Sequence, residues 1–142
     1  MKLITKNIYY AIKSLVYIAQ KPDTVVSASE LVRKLKMRQA FLRRVLQILS
    51  QHKILKSLKG KGGGFVLAVN PSKIRIMDIV GIFRGKVDII DCLLEKDICP
   101  WPNDCILMAK MKDIDRKLHR VLETITIATL LKNRDGMPDM SY

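Results

Sequence analysis

Three cysteines are the residues of this chain whose type and spacing best suit chemistry. Cys92, Cys99 and Cys105 lie within 14 residues, and Pro100 and Pro102 exclude regular structure between the last two. The cysteines are compatible with three interpretations: unrelated small residues, a zinc site, or thiolates that bind an iron-sulfur cluster. Zinc favours four Cys or His ligands, usually with a close Cys pair, which this segment lacks. Thiolates at wider spacing suit a cluster that leaves one iron for a different ligand.

The segment after the cysteines has the pattern of a long amphipathic helix. Apolar residues recur at three-to-four spacing from residue 106 to residue 130. A helix of this length on so small a chain has too little core of its own to cover its apolar face. We therefore predict that it pairs with the same helix of a second copy to form a homodimer.

The charge of the chain is concentrated in one half. The 142 residues have a net charge of +13, of which residues 1–75 contribute +14 and residues 76–142 contribute −1. Only the N-terminal half is therefore suited to binding a polyanion. No apolar stretch approaches a membrane span, and Lys6 and Lys13 interrupt the region where a signal peptide would be apolar. We expect a cytoplasmic protein with no membrane partner.

The basic half has the pattern of a helix-turn-helix. Apolar periodicity predicts a first helix over 6–20, and Ser27 with Glu30 forms a capping box that predicts a second helix over 28–35. A third helix is predicted over 38–51. Two short helices separated by a tight turn are typical of a helix-turn-helix.

The third helix is a candidate recognition helix because it carries long hydrogen-bond donors away from its apolar stripe. Arg binds guanine bidentately and Gln pairs with adenine in the major groove, although both also contact phosphates. The candidate DNA-binding residues of this helix are Arg38, Gln39, Arg43 and Arg44.

A glycine-rich stretch, SLKGKGGGFVL, follows the third helix. It matches neither the phosphate-binding loop of nucleotide hydrolases nor the dinucleotide-binding pattern. Instead, two apolar runs around a glycine turn predict a β-hairpin. A basic hairpin directly after a helix-turn-helix predicts a winged helix, with Lys59 and Lys61 at the wing tip and Gly62 and Gly63 allowing close approach to DNA.

The sequence as a whole resembles the bacterial winged-helix regulators that include the iron-sulfur cluster regulator IscR and the nitric-oxide-sensitive repressor NsrR. The resemblance rests on MKLITK at the start, the pair Tyr10 and Ala11, LKSLKGKGGGF in the wing, and three cysteines before a long helix. It implies a homodimeric transcriptional regulator that binds double-stranded promoter DNA. It also implies that Cys92, Cys99 and Cys105 hold a 2Fe-2S or 4Fe-4S cluster.

The chain departs from the pattern of these regulators at several functional positions. Some members have a His ligand where this chain has Met108, and others use a carboxylate in the first helix where it has Tyr9. The fourth ligand is therefore unassigned. Arg43 replaces a frequent Glu in the recognition helix, which alters the expected sequence preference. Lys59 and Lys61 replace the usual Arg and Pro of the wing, so positive charge is kept.

We predict a mainly α fold with a small β-hairpin wing. A winged helix-turn-helix DNA-binding domain spans 1–85, a cysteine-bearing cluster loop 86–105, a dimerisation helix 106–132 and a flexible tail 133–142. The expected function is a non-enzymatic regulator that senses redox state, iron-sulfur status or a small reactive molecule. One alternative is a winged-helix regulator that uses the cysteines as a thiol switch or zinc site. Another is a redox or metal-handling protein whose basic half binds RNA.

Overall fold

The computed structural model of the chain describes residues 3–85 and 105–133, and these form helices around one small antiparallel sheet. This architecture confirms the predicted fold class, including the hairpin and the long C-terminal helix. The elements are α1 (Lys6–Ala19), α2 (Ala28–Leu35), α3 (Gln39–Gln51), β1 (Leu55–Leu58), β2 (Gly64–Leu67), a 3-10 turn (Pro71–Lys73), α4 (Ile76–Arg84), α5 (Ile106–Thr124) and α6 (Ile127–Lys132).

Helices α2 and α3 form the predicted helix-turn-helix, and the bounds of α2 agree with the prediction. The Ser27 side chain accepts a hydrogen bond from the Glu30 backbone N–H at 3.1 Å, as a capping box requires. The carboxylate of Glu30 has a different role from the one predicted, because its Oε1 accepts hydrogen bonds from the Tyr17 hydroxyl and the Lys21 ammonium. These bonds, that from Lys21 first, hold the pKa of the Glu30 carboxyl below its usual value. The cluster therefore ties the end of α1 to the start of α2.

Strands β1 and β2 pair in antiparallel register, with Leu55 opposite Leu67 and Leu58 opposite Gly64. The turn between them contains Gly60 at φ +94° and Gly62 at φ +75°, which confirms that the glycine run provides left-handed positions.

A third extended segment fixes the base of this hairpin. Val26 forms a backbone bridge with Phe65, through hydrogen bonds of 3.0 and 2.8 Å. The hairpin is thus held against the segment that leads into α2, which defines its orientation relative to the helix-turn-helix.

The C-terminal helix differs from the prediction because it stops at Thr124 and a separate helix, α6, begins at Ile127. The break is held by a long-range backbone pairing. The Ile76 N–H donates to the Ile125 carbonyl and the Ile127 N–H donates to the Ile74 carbonyl, both at 2.9 Å. Helix α6 then packs against α1, and Ile127 is fully buried in the core.

One hydrophobic core joins these elements. It contains Ile8, Ala11, Leu15 and Ile18 of α1, Leu31 of α2, Leu42, Val45, Leu46 and Leu49 of α3, Ile79 and Val80 of α4, and Ile127 of α6. Residues on both sides of the segment 86–104 therefore contribute to the same core. In the described parts of the chain, no helix has the length and apolar character needed to cross a membrane.

Candidate nucleic-acid interface and cysteine site

Helix α3 buries one face and exposes the other. Leu42, Val45, Leu46 and Leu49 point into the core, whereas the predicted DNA-binding residues Arg38, Gln39, Arg43 and Arg44 are all exposed. Arg38 is the N-cap and not part of the helix itself, so its side chain lies at the entry to α3. The exposed face also includes Ala40 and Gln47, which are not among the predicted DNA-binding residues. The four-residue spacing of Gln47 from Arg43 was the available signal.

The first turn of α3 is supported by aromatic side chains of α1. Phe41 lies edge-on to Tyr10, with ring centroids 5.9 Å apart, and Tyr10 in turn contacts Tyr9 at 5.3 Å. The Lys6 ammonium lies 5.6 Å from the centre of the Phe41 ring. This packing fixes the N-terminal end of α3, which is the end that recognition helices direct at base edges.

The wing tip exposes Lys59, Lys61 and Gly62, whereas Gly63 is half-buried. The Gly63 N–H donates to the Gly60 carbonyl at 3.0 Å, and a Cβ at position 63 would collide with the Leu58 carbonyl. Gly63 therefore has a steric role inside the hairpin turn. The two lysines are directed away from the core on a backbone that this turn holds.

The segment from Leu31 to Met77 carries positive charge without any carboxylate. Residues 31–77 contain 12 Lys and Arg and no Asp or Glu. The ion pairs found in the described parts of the chain lie elsewhere, between Lys21 and Glu30 and along α5. The outer face of α3 and the wing tip therefore share one cationic segment, which suits the phosphate backbone of nucleic acid.

Cys105 is the N-cap of α5 and is half-buried. Its Sγ accepts a hydrogen bond from the Met108 backbone N–H at 3.4 Å. Cys92 and Cys99 lie outside the described residues, so the predicted three-cysteine ligand set stays a prediction. Within residues 3–85 and 105–133, no three His, Cys, Asp or Glu side chains are grouped closely enough to hold a metal ion.

Helix α5 packs against α4 and leaves an apolar stripe exposed. Leu107, Ile114 and Val121 occur at seven-residue intervals, with 54%, 50% and 58% of their surface exposed. Met111 and Leu118 are half-buried and alternate with them at three-to-four spacing. The pattern is that of a coiled-coil seam, which residues 3–85 and 105–133 of one chain leave open.

A helix-turn-helix with a cationic second helix, followed by a two-stranded hairpin with a basic tip, defines a winged-helix DNA-binding protein. Comparison with known families agrees. The Rrf2 family, described as iron-dependent transcriptional regulators, matches residues 4–133. The chain belongs to the Rrf2 family. Because members of this family are transcriptional regulators, the prediction of a non-enzymatic, DNA-binding protein is confirmed.

The chain is similar to several individual regulators in sequence and to others in fold. It is 30% identical over 131 residues to a putative HTH-type transcriptional regulator of Aquifex aeolicus, covering 91% of each chain. It is 24% identical to the HTH-type transcriptional regulator IscR of Yersinia pseudotuberculosis, covering 95% of this chain and 82% of the relative. Its fold matches CymR, described as the global cysteine regulator of B. subtilis, with a TM-score of 0.76, 21% identity and coverage of 95% and 100%. The resemblance to IscR-type regulators is thus confirmed.

Proposed function

We propose that this protein is a homodimeric regulator that binds promoter DNA through α3 and the wing and holds an iron-sulfur cluster with its three cysteines. The observation that carries the proposal is the arrangement of two features on one core. Helix α3 and the wing present an uncompensated cationic surface, and α5, whose N-cap is Cys105, is anchored to the same core.

DNA recognition is divided between the two cationic elements. The exposed guanidinium and amide groups at the start of α3 suit base edges in the major groove, where Arg recognises guanine and Gln recognises adenine. Lys59 and Lys61 of the wing suit phosphates, because an ammonium is a point charge with little geometric preference. The preference for particular bases is therefore expected to depend on α3. The affinity for any DNA duplex is expected to depend on the wing.

The cysteine donor set fits an iron-sulfur cluster. Cys105 is partly shielded from solvent, and its sulfur already accepts a backbone N–H, as sulfurs bound to clusters commonly do. Cys92, Cys99 and Cys105 would supply three thiolates. A cluster held there would provide reversible electron transfer and reactivity towards oxidants.

Helix α5 connects the cysteine site to the DNA-binding core. Its 19 residues span about 28 Å, at 1.5 Å per residue. One end carries Cys105, and the other is fixed by the pairing of Ile125 and Ile127 with Ile76 and Ile74. A displacement of the Cys105 end is therefore transmitted to the core that positions α3.

The cysteine part of the proposal is tested by purification without oxygen. We expect brown protein with about one cluster's worth of iron and sulfide per chain, and loss of visible absorption in each of Cys92→Ser, Cys99→Ser and Cys105→Ser. Circular dichroism controls for folding of the variants. Colourless wild-type protein that contains zinc, or no metal after anaerobic reconstitution with iron and sulfide, would contradict a cluster and favour the zinc site or thiol switch.

The DNA part is tested by a binding-site selection followed by affinity measurements. Lys59→Ala and Lys61→Ala should weaken binding to all duplexes alike, whereas Arg38→Ala and Gln39→Ala should change the selected sequence. Lys112→Ala on α5 removes one positive charge outside the proposed interface and serves as the control. It should neither weaken binding nor change the selected sequence. Identical behaviour of wing and helix variants, or equal affinity for RNA, would contradict this division.

A further inference from the structure

Two lysines adopt the left-handed backbone conformation, and each stands at the end of a helix of the helix-turn-helix. Lys36 follows α2 with φ +50°, and Lys53 follows α3 with φ +59°. In the described parts of the chain, these are the non-glycine residues with positive φ. Glycine is the usual residue at such positions, because any Cβ meets the following carbonyl. A lysine at either position is thus unfavourable for the fold.

The backbone bonds of these two helix ends do not depend on a side chain. After α3, the Lys53 N–H donates to the Ser50 carbonyl and the Ile54 N–H to the Leu49 carbonyl, both at 3.0 Å, which is the Schellman pattern. After α2, the Lys36 N–H donates to the Val32 carbonyl. Glycine would preserve every one of these bonds, so the lysine side chains contribute nothing to the caps.

The two lysines differ in where they stand relative to the reading end of α3. Lys36 lies in the turn, two residues before Arg38, the N-cap of α3. Lys53 lies beyond the opposite end, about 20 Å away for a helix of 13 residues. Recognition helices enter the major groove with their N-terminal residues, so the phosphates that border the groove lie near the Lys36 end.

The surroundings of Lys36 leave its charge available. The side chain is exposed, and its neighbours Arg33, Lys34 and Arg38 are also cationic. No carboxylate occurs between residues 31 and 77, and none of the ion pairs in the described parts of the chain includes Lys36. An unpaired cation in a strained backbone position beside a DNA-reading helix suits a phosphate contact.

We infer that the Lys36 ammonium binds a backbone phosphate at the edge of the major groove that α3 enters, and that Lys53 makes no such contact. This contact is additional to those of α3 and the wing, and the inference rests on the proposed DNA binding. It makes the turn itself, and not only the helices it joins, part of the DNA interface.

The test compares Lys36→Gly with Lys53→Gly, which remove the same charge and relieve the same backbone conformation. Both variants should melt about 3 °C higher than the wild type. Fluorescence anisotropy with a mixed-sequence DNA duplex over a series of salt concentrations should separate them. For Lys36→Gly, affinity at low salt should fall about fivefold to tenfold, and the slope of log affinity against log salt should decrease by about 0.9. Lys53→Gly should retain the DNA affinity and the salt slope of the wild type.

Two further variants separate the effect of the Lys36 charge on DNA binding from the effect of the backbone conformation on stability. Lys36→Arg should bind like the wild type. Lys36→Gln should show the same decrease of about 0.9 in the salt slope as Lys36→Gly, without the rise in melting temperature. Equal DNA affinity for Lys36→Gly and Lys53→Gly, or wild-type binding by Lys36→Gln, would overturn the inference. If Lys59→Ala weakens binding but Lys36→Gly does not, only this inference fails. If the wild-type chain does not bind duplex DNA, the proposed function fails.

Discussion

If the apolar stripe on α5 pairs two protomers, as proposed, a single charge buried in it should separate them. Covering an exposed half of a Leu, Ile or Val contributes about 1 kcal/mol, since burying such a side chain fully contributes about 1.5–3 kcal/mol. Leu107, Ile114 and Val121 each expose about half of their surface. Pairing of the stripe in a two-fold dimer would then contribute about 6 kcal/mol from these side chains of both protomers.

The substitution Ile114→Asp changes the middle of this stripe, on both protomers of the proposed dimer. It removes about 2 kcal/mol of apolar burial and places two carboxylates in the interface, at about 1 kcal/mol or more each. The total of about 4 kcal/mol corresponds to an increase of about a thousandfold in the dissociation constant. A dimer that is tight at micromolar concentration should therefore become monomeric.

Sedimentation velocity at micromolar concentration provides the assay, and Ala109→Asp is the matched control. Ala109 is exposed on the opposite face of α5, and its substitution adds the same charge to the same helix. We expect a dimer for the wild type and Ala109→Asp, and a monomer with weaker DNA binding for Ile114→Asp. A wild-type monomer, or an Ile114→Asp dimer of unchanged affinity, would refute the reasoning.

Three further predictions concern the elements that position the DNA-binding surface. Because the pKa of Glu30 is lowered in the folded state, its stabilising contribution is present above the ordinary Glu value of about 4.3 and is lost as pH falls through the lowered pKa. Glu30→Gln should thus lower the melting temperature at neutral pH and reduce the fall of the melting temperature as pH decreases. A variant whose melting temperature falls with pH as steeply as that of the wild type would count against the ion pair. Gly64→Ala should cost about 2–3 kcal/mol, since its Cβ would collide with the Val26 carbonyl, and it should weaken DNA binding by displacing the wing. Gly62→Ala, which meets no neighbour but has positive φ, should cost about 1 kcal/mol, and urea denaturation that ranks the two in reverse order would contradict the steric argument. Ile127→Ala should destabilise the fold by about 2–5 kcal/mol because Ile127 is fully buried, and a loss below 1 kcal/mol in the same assay would show that α6 is not part of the core.

Local patterns were sufficient to predict the helix-turn-helix and the wing. The bounds of α2 follow from a Ser at the N-cap and an apolar face, both of which are local properties. The hairpin follows from a glycine run between two apolar segments, and the positive φ values at Gly60 and Gly62 agree with it. The exposed basic residues of α3 follow from the helical period once the apolar stripe is known.

Features that depend on distant contacts were not predictable in this way. The apolar period continues past Thr124, but the chain there pairs its backbone with residues 74–76, about 50 positions earlier. No local periodicity encodes such a pairing. The available signal was the β-branched run Ile125, Thr126 and Ile127, with Thr126 as the N-cap of α6. Glu30 shows the same limit, since its partner Tyr17 lies in another helix.

Of the three cysteines predicted to form a ligand set, the structure describes Cys105. Cys105 lies where the long helix begins, as the sequence indicated, and its hydrogen bond from Met108 is a consequence of helix capping. The complete ligand set stays a prediction, because Cys92 and Cys99 lie outside the described residues.

The packing of α6 against α1 has a consequence for biosynthesis. The ribosome synthesises the chain from its N-terminus at about 5–20 residues per second. Helix α1 is therefore made about 6–24 s before residues 127–132, which cover it. During this interval, the part of the core that Ile127 fills stays open to solvent. A nascent chain released before Ile127 would carry the complete cationic surface on an unfinished core. We expect proteases to degrade such fragments, so that only complete chains reach DNA.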